Sequence, residues 1–204
     1  MPSTDRSEES LDQLPALARA AIGARLADRQ VTAESLLPEN PPTRWQDPGA
    51  SFVTLHKQDR LRGCIGSLEA RRPLGLDVIH NAFDAAFRDP RFPPLMAEEL
   101  PQLSLLVSVL GPMTPMAIQD AAELRQQLTP GRDGLVIATP DGASQATFLP
   151  SVWQQLPEPE NFVGQLLRKA GLPADYSGPL KAWRYPVTEH HEAAQPEAGQ
   201  DPAT

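Results

Sequence analysis

The chain has 204 residues, 40% of them hydrophobic, with 23 prolines and a net charge of −8; this suits one domain or two closely fused lobes, with short helices and many loops. The acidity sits at the ends, −3 over residues 1–12 and −4 over residues 189–204, so the remainder is close to neutral and lacks the basic stripe a nucleic-acid binder would show. One cysteine excludes an intrachain disulfide, no run approaches the ~20 apolar residues of a membrane helix, and the acidic opening Met1–Asp5 is unlike a secretory signal, which together read as a cytoplasmic protein.

Residues 1–10 read as a disordered lead-in. Leu14, Leu17, Ala18, Ala21, Ile22 and Leu26 then recur at helical spacing, with Pro15 in the first turn and an end near Asp28. Arg19, Arg25 and Arg29 have no aromatic residues interleaved and read as a solvated face of that helix. A proline-rich loop runs from Pro38 to Pro48, with Trp45 as an anchor onto the core. Phe52–His56 is a strand by residue type. Gln58-Asp59 is a turn, and Arg60–Ser67 is the return strand of a hairpin. The next helix, Leu74–Arg88, has an apolar stripe of Val78, Ile79, Ala82, Phe83 and Ala86. Its polar stripe is Asp77, His80, Asn81, Asp84 and Arg88. Asp89-Pro90-Arg91-Phe92-Pro93-Pro94 stops it.

Leu103–Leu110 is apolar enough for a central strand. A helix is expected over Ala117–Leu128, a buried strand over Leu135–Ala138, and a hairpin turn at Asp141-Gly142 with return strand Gln145–Leu149. Ser151 is placed to cap a short helix holding Trp153. Phe162, Val163, Leu166, Leu167 and Ala170 form one more helix, closed by Gly171. The last strand is Leu180–Val187, and the tail from Glu189 to Thr204 reads as disordered. Hairpins separated by helices argue for an α+β fold.

The stretch Leu61-Arg62-Gly63-Cys64-Ile65-Gly66 holds the lone cysteine. If it is extended, Leu61 and Ile65 share one face and Arg62 and Cys64 the other. The apolar pair then faces the core, and Cys64 is presented beside a guanidinium. A neighbouring cation favours thiolate, one recipe for a reactive thiol. Gly63 and Gly66 permit a ligand, or another stretch of backbone, to approach closely. Against this stands a structural reading: free cysteine is commonly a small buried hydrophobe, and glycines in a strand often mark a bulge, which would change the facing. Asp89 and Arg91 sit on a rigid proline turn. Arg91 there is placed to take an anionic group, or the pair fixes the loop as an Asx-turn. His80 and Asp84 have a spacing that suits a metal or, more ordinarily, an ion pair. Without a second histidine at ligand spacing, no metal site is assigned.

Five stretches carry a family resemblance. They are Phe52–Leu55, the hexapeptide Leu61–Gly66, Asn81 through Asp89-Pro90-Arg91-Phe92 to Leu95, Gly134–Val136 with Ala146–Pro150 and Val152-Trp153, and Lys169–Leu172. They appear in order over roughly residues 13–188, and on them the chain resembles the AMMECR domain family. Gln58-Asp59 departs from it, since relatives often turn there on glycine. The resemblance implies a single α+β domain over 11–188. It further implies a strongly curved, mostly antiparallel sheet with flanking helices, and a larger and a smaller lobe around a cleft lined by the hexapeptide. Bacterial relatives are associated with a Memo-like protein and a radical SAM enzyme, which implies a shared pathway. It establishes no activity and names no cofactor.

Two readings follow. One is an enzyme or enzyme component using Cys64 and Arg62, with Gly63, Gly66, His80, Asn81, Asp89 and Arg91 as binding residues. The other is a noncatalytic partner- or substrate-binding module in which Cys64 is structural.

Overall fold

The computed structural model describes residues 10–195; the expected lead-in over 1–9 and the end of the expected tail, 196–204, lie outside them. The chain divides into two compact units, one formed by residues up to 109 together with those from 189, the other by residues 110–188.

In the first unit, helix α1 (Leu14–Ala27) buries Leu14, Ala18, Ala21 and Ile22, the stripe its periodicity predicts. Arg19 is not on a solvated face. It is 7% exposed, its Nε donates to Glu192, and its other nitrogens donate to the carbonyls of Leu100, Leu103 and Ala193. The proline-rich loop holds a short helix, α2 (Thr43–Gln46), whose Trp45 is buried and donates to the carbonyl of Ser10. Strands β1 (Pro48–Gly49) and β4 (Arg72–Pro73) form a small antiparallel ribbon. Strands β2 (Ser51–Lys57) and β3 (Arg60–Gly66) make the expected hairpin. Gln58 and Asp59 take φ of 50° and 60°, so the left-handed turn is made without glycine. Helix α3 (Leu74–Phe87) and strand β5 (Leu103–Leu110) follow, and β5 pairs antiparallel with β2. The last strand among the described residues, β10 (Val187–Glu192), completes a sheet of order β10-β5-β2-β3. Residues 189–192, expected in a disordered tail, are therefore sheet. His190 is buried and lies 2.7 Å from Asp12. The core of this unit is Leu14, Ile22, Val53, Leu55, Leu74, Val78, Leu105 and Val107 with their neighbours.

The second unit has a four-stranded antiparallel sheet of order β6-β9-β7-β8. Its strands are β6 (Thr114–Met116), β7 (Gly134–Ala138), β8 (Gln145–Phe148) and β9 (Lys181–Tyr185). The helix expected over 117–128 is shorter, α4 (Ala121–Gln127), because Asp120 caps it by accepting from the amides of Ala122 and Glu123. Helix α5 (Pro159–Lys169) buries Phe162, Val163, Leu166 and Leu167, and Trp153 stacks on Phe162 at 3.7 Å. The Tyr185 hydroxyl, pushed up to about 12 by burial, lies 2.7 Å from the hydroxyl of Thr147.

How α3 meets the hairpin decides where the hexapeptide faces. A Cβ at Gly63 would strike the carbonyl oxygen of Ala85 on α3, and one at Gly66 would strike the ring of Phe52. Both glycines are thus filled by the protein itself. Gly63 admits helix backbone, one of the two occupants expected of it, and Gly66 admits an aromatic ring. Gly63→Ala is expected to cost about 2–3 kcal/mol of stability in chemical denaturation, since helix backbone must move to make room. A loss under about 0.5 kcal/mol, the range of an uncrowded surface change, would contradict the close approach.

Candidate functional site: the Cys64–Asp89–Arg91 clamp

The hexapeptide is extended, with one irregularity. Opposite β2 the register runs Phe52↔Gly66, Val53↔Ile65, Thr54↔Cys64 and Leu55↔Gly63, then shifts to His56↔Leu61. Arg62 is the extra residue of a bulge. Downstream of it, alternation holds as expected: Ile65 packs against the core, and Cys64 lies on the Thr54 side. Upstream the facing is reversed, so Leu61 does not share the core face with Ile65 and is 40% exposed.

The bulge also redirects Arg62. Its Nε and one terminal nitrogen donate to the two oxygens of Glu99, at 3.1 and 3.0 Å, in the bidentate geometry that suits a guanidinium. Lys57 reaches the same carboxylate at 3.1 Å. Glu99, drawn down to about 2 by its bond from Arg62 against the opposing effect of burial, is a fixed anion. The Arg62 side chain, 11% exposed, is engaged in that ion pair.

The guanidinium beside Cys64 belongs to Arg91. Its Nη2 donates to the carbonyl oxygen of Cys64 at 3.1 Å. Asp89 accepts the Cys64 amide at 2.9 Å, and also the amide, Nε and Nη2 of Arg91 at 3.1, 2.9 and 2.6 Å. The Asx-turn expected at this loop is present, and it reaches across to β3. The bonds from Arg91 hold the buried Asp89 carboxyl well below the usual carboxylate range, against its desolvation, and the Cys64 amide adds to them. In return Asp89 raises the Arg91 pKa, and the Cys64 thiol contributes in the same direction. The sulfur accepts from the Thr54 hydroxyl at 3.3 Å, and Cys64 is half-buried. Arg91 keeps 52% of its side chain exposed, with donor capacity left for a further group.

Asn81 and His80 do not join this cluster. Asn81 is buried and donates to Asp77, to Ser67, and to the carbonyl and hydroxyl of Ser51. Asp77, 1% exposed, also accepts from the Ser51 amide and from the hydroxyls of Ser51 and Ser67. This network ties α3 to both strands at the open end of the β2–β3 hairpin. Asp77 and Asn81 belong to the polar stripe expected on this helix, and both are buried. Their separation by four residues, with serines flanking both strands, was the available signal. His80 lies elsewhere on α3, 3.9 Å from Glu34, and Asp84 pairs with Arg88. Among the described residues there is no group of three or more His, Cys, Asp or Glu that could hold a metal ion.

Comparison with known proteins agrees with this arrangement of elements. The AMMECR1 family model matches residues 15–190. A protein of Methanothermobacter thermautotrophicus is 36% identical over 159 residues, covering 76% of this chain and 82% of its own length. One of Thermococcus gammatolerans is 39% identical over 171 residues, 78% of each. The crystal structure of an uncharacterized protein from Pyrococcus horikoshii superposes with a TM-score of 0.80 at 30% identity, covering 90% of this chain and 92% of that one. No helix of the described residues is long and apolar enough to cross a membrane.

The clamp has a pH signature. Because the folded pKa of Asp89 is depressed, its stabilising contribution is fully present above the ordinary carboxylate range, near pH 4, and is lost as pH falls toward the folded value. Asp89→Asn is expected to cost about 1–3 kcal/mol at pH 7. The gap between variant and parent should shrink as denaturation is repeated below about pH 4. A gap that is constant between pH 7 and pH 3 would show that Asp89 carries no such charge in the fold.

Proposed function

Because this chain belongs to the AMMECR1 family, we propose that it is protein A of an AmmeMemoRadiSam-type system, a cytoplasmic component acting with a Memo-like protein and a radical SAM enzyme, and that it binds through the Cys64–Arg91 edge. The observation that carries the reading is a half-exposed guanidinium held against Cys64 by a buried carboxylate. Asp89 fixes Arg91 before any ligand arrives, so little side-chain entropy is lost when an anionic group is taken. A carboxylate or phosphate on a partner or substrate is the matching chemistry.

Binding is favoured over catalysis by what surrounds the thiol. Thr54 donates to the sulfur, and the Asp89 oxygens are already occupied by Arg91 and the Cys64 amide. A general base would need free acceptor capacity within reach of the thiol proton. Thiol chemistry at Cys64 is the second reading, and the Arg91 guanidinium on the Cys64 carbonyl oxygen is the observation that favours it.

The test mixes the purified chain with the Memo-like and radical SAM proteins of the same organism and follows complex formation by size-exclusion chromatography and calorimetry. A complex with at least one of them, weakened about tenfold or more by Arg91→Ala, is the expected result. Absence of a complex with either protein would overturn the reading. Cys64→Ala separates the two roles: a folded variant that keeps pathway function supports binding, and one that folds but loses function supports thiol chemistry.

A further inference from the structure

A second site lies in the first unit, apart from Cys64. The end of α1, the segment after it and one face of α3 enclose an open pocket of about 380 Å³, within the size range of small-molecule sites. Its floor is apolar. Phe83, Phe87, Val31 and Ala33 line it, and they belong to a satellite cluster of Ala21, Ala33, Ile79 and Phe83 separate from the main core. Its rim is charged. Glu34 lies 3.9 Å from the His80 ring, and Asp84 pairs with Arg88 at 3.1 Å.

Arg25 and Arg29 are different. Both line the pocket, and among the described residues neither has a carboxylate within ion-pair distance. Arg25 is pinned in place, with its guanidinium carbon 4.0 Å from the centre of the Phe83 ring. Its Nε is sealed from solvent with no hydrogen-bond partner, so the arginine is held by the ring face and not by an acceptor. Among the described residues these two arginines have no ion-pair carboxylate, and beside the accessible side chains of Phe87 and Val31 they form a site with one charged requirement and one apolar requirement.

We propose that this pocket binds a small aryl carboxylate, with its carboxylate on the outward nitrogens of Arg25 and Arg29 and its ring against Phe87 and Val31. Inorganic anions satisfy the arginines and leave the floor wet. Neutral aromatics cover the floor and leave the arginines without a counterion. A molecule carrying both groups meets both needs. His80 is then a residue of this pocket, which restores a binding role to it at a different place from the hexapeptide.

The probe is 2-naphthoate, titrated into the full chain by calorimetry, with the His80 ring resonances followed by NMR. Saturable binding that moves those resonances is expected. Arg25→Ala and Arg29→Ala should each weaken it by about tenfold, and 2-naphthol should bind at least about tenfold more weakly than the carboxylate. Arg29 is exposed, so its variant keeps the test decisive if Arg25→Ala disturbs the packing on Phe83. Cys64→Ala should leave 2-naphthoate binding unchanged, which separates this site from the one at the hexapeptide. Absence of saturable binding, binding that leaves His80 unmoved, or equal affinity in the folded arginine variants would overturn the proposal.

Discussion

The first unit depends on the seating of α3 against the β2–β3 hairpin, and that seating is possible because Gly63 carries no side chain. The carbonyl of Ala85 occupies the space where a Cβ would be. Helix backbone therefore comes closer to strand backbone than side-chain packing ordinarily permits. Two polar attachments fix the helix along its length. Near its start, Asp77 and Asn81 take the hydrogen-bonding groups of Ser51 and Ser67. Beyond its end, Asp89 takes the amide of Cys64. The helix is thus tied to the first residue of β2, to the residue after β3, and to the middle of β3.

The electrostatics around the hexapeptide follow from that placement. Two arginines lie near it, and the structure gives each its own carboxylate. Arg62, turned by the bulge, pairs with Glu99 on the segment that precedes β5. Arg91, carried by the loop that ends α3, pairs with Asp89 and reaches Cys64. Both carboxylates are depressed by their arginine partners. The cation that sequence adjacency offers to the thiol is used in an ion pair, and a cation 27 residues away takes its place.

Much of this was legible in the sequence. Periodicity located α1, α3 and α5 closely, because each buries one face and the pattern of apolar residues must record that, and the nearly unbroken apolar run Leu103–Leu110 located β5. The Asx-turn at Asp89 and the outward facing of Cys64 relative to Ile65 were legible for the same kind of reason, since both depend on neighbours along the chain. The bulge was not. Strict alternation places Arg62 beside Cys64, and one extra residue opposite Leu55 and His56 is set by pairing with β2, which a single strand does not encode. The role of Gly63 was half legible: close approach was expected, but whether a ligand or a helix would fill it depends on tertiary packing. Burial of Arg19 and the strand over 187–192 were hidden together. A polar C-terminal stretch becomes β10 because β5 has an edge to pair, and Glu192 meets Arg19 across the fold.

The central claim is that Arg91, held by Asp89, is the charge that Cys64 presents to an incoming molecule, and that Arg62 is not. Comparing the alkylation rate of Cys64 by iodoacetate, an anion, with that by iodoacetamide, its neutral analogue, tests this directly, since a local cation draws the charged reagent preferentially. The rate ratio should fall by roughly threefold or more in Arg91→Ala and stay near the parent value in a folded Arg62→Ala variant. A ratio that Arg91→Ala leaves unchanged, or that Arg62→Ala lowers as far, would contradict the account.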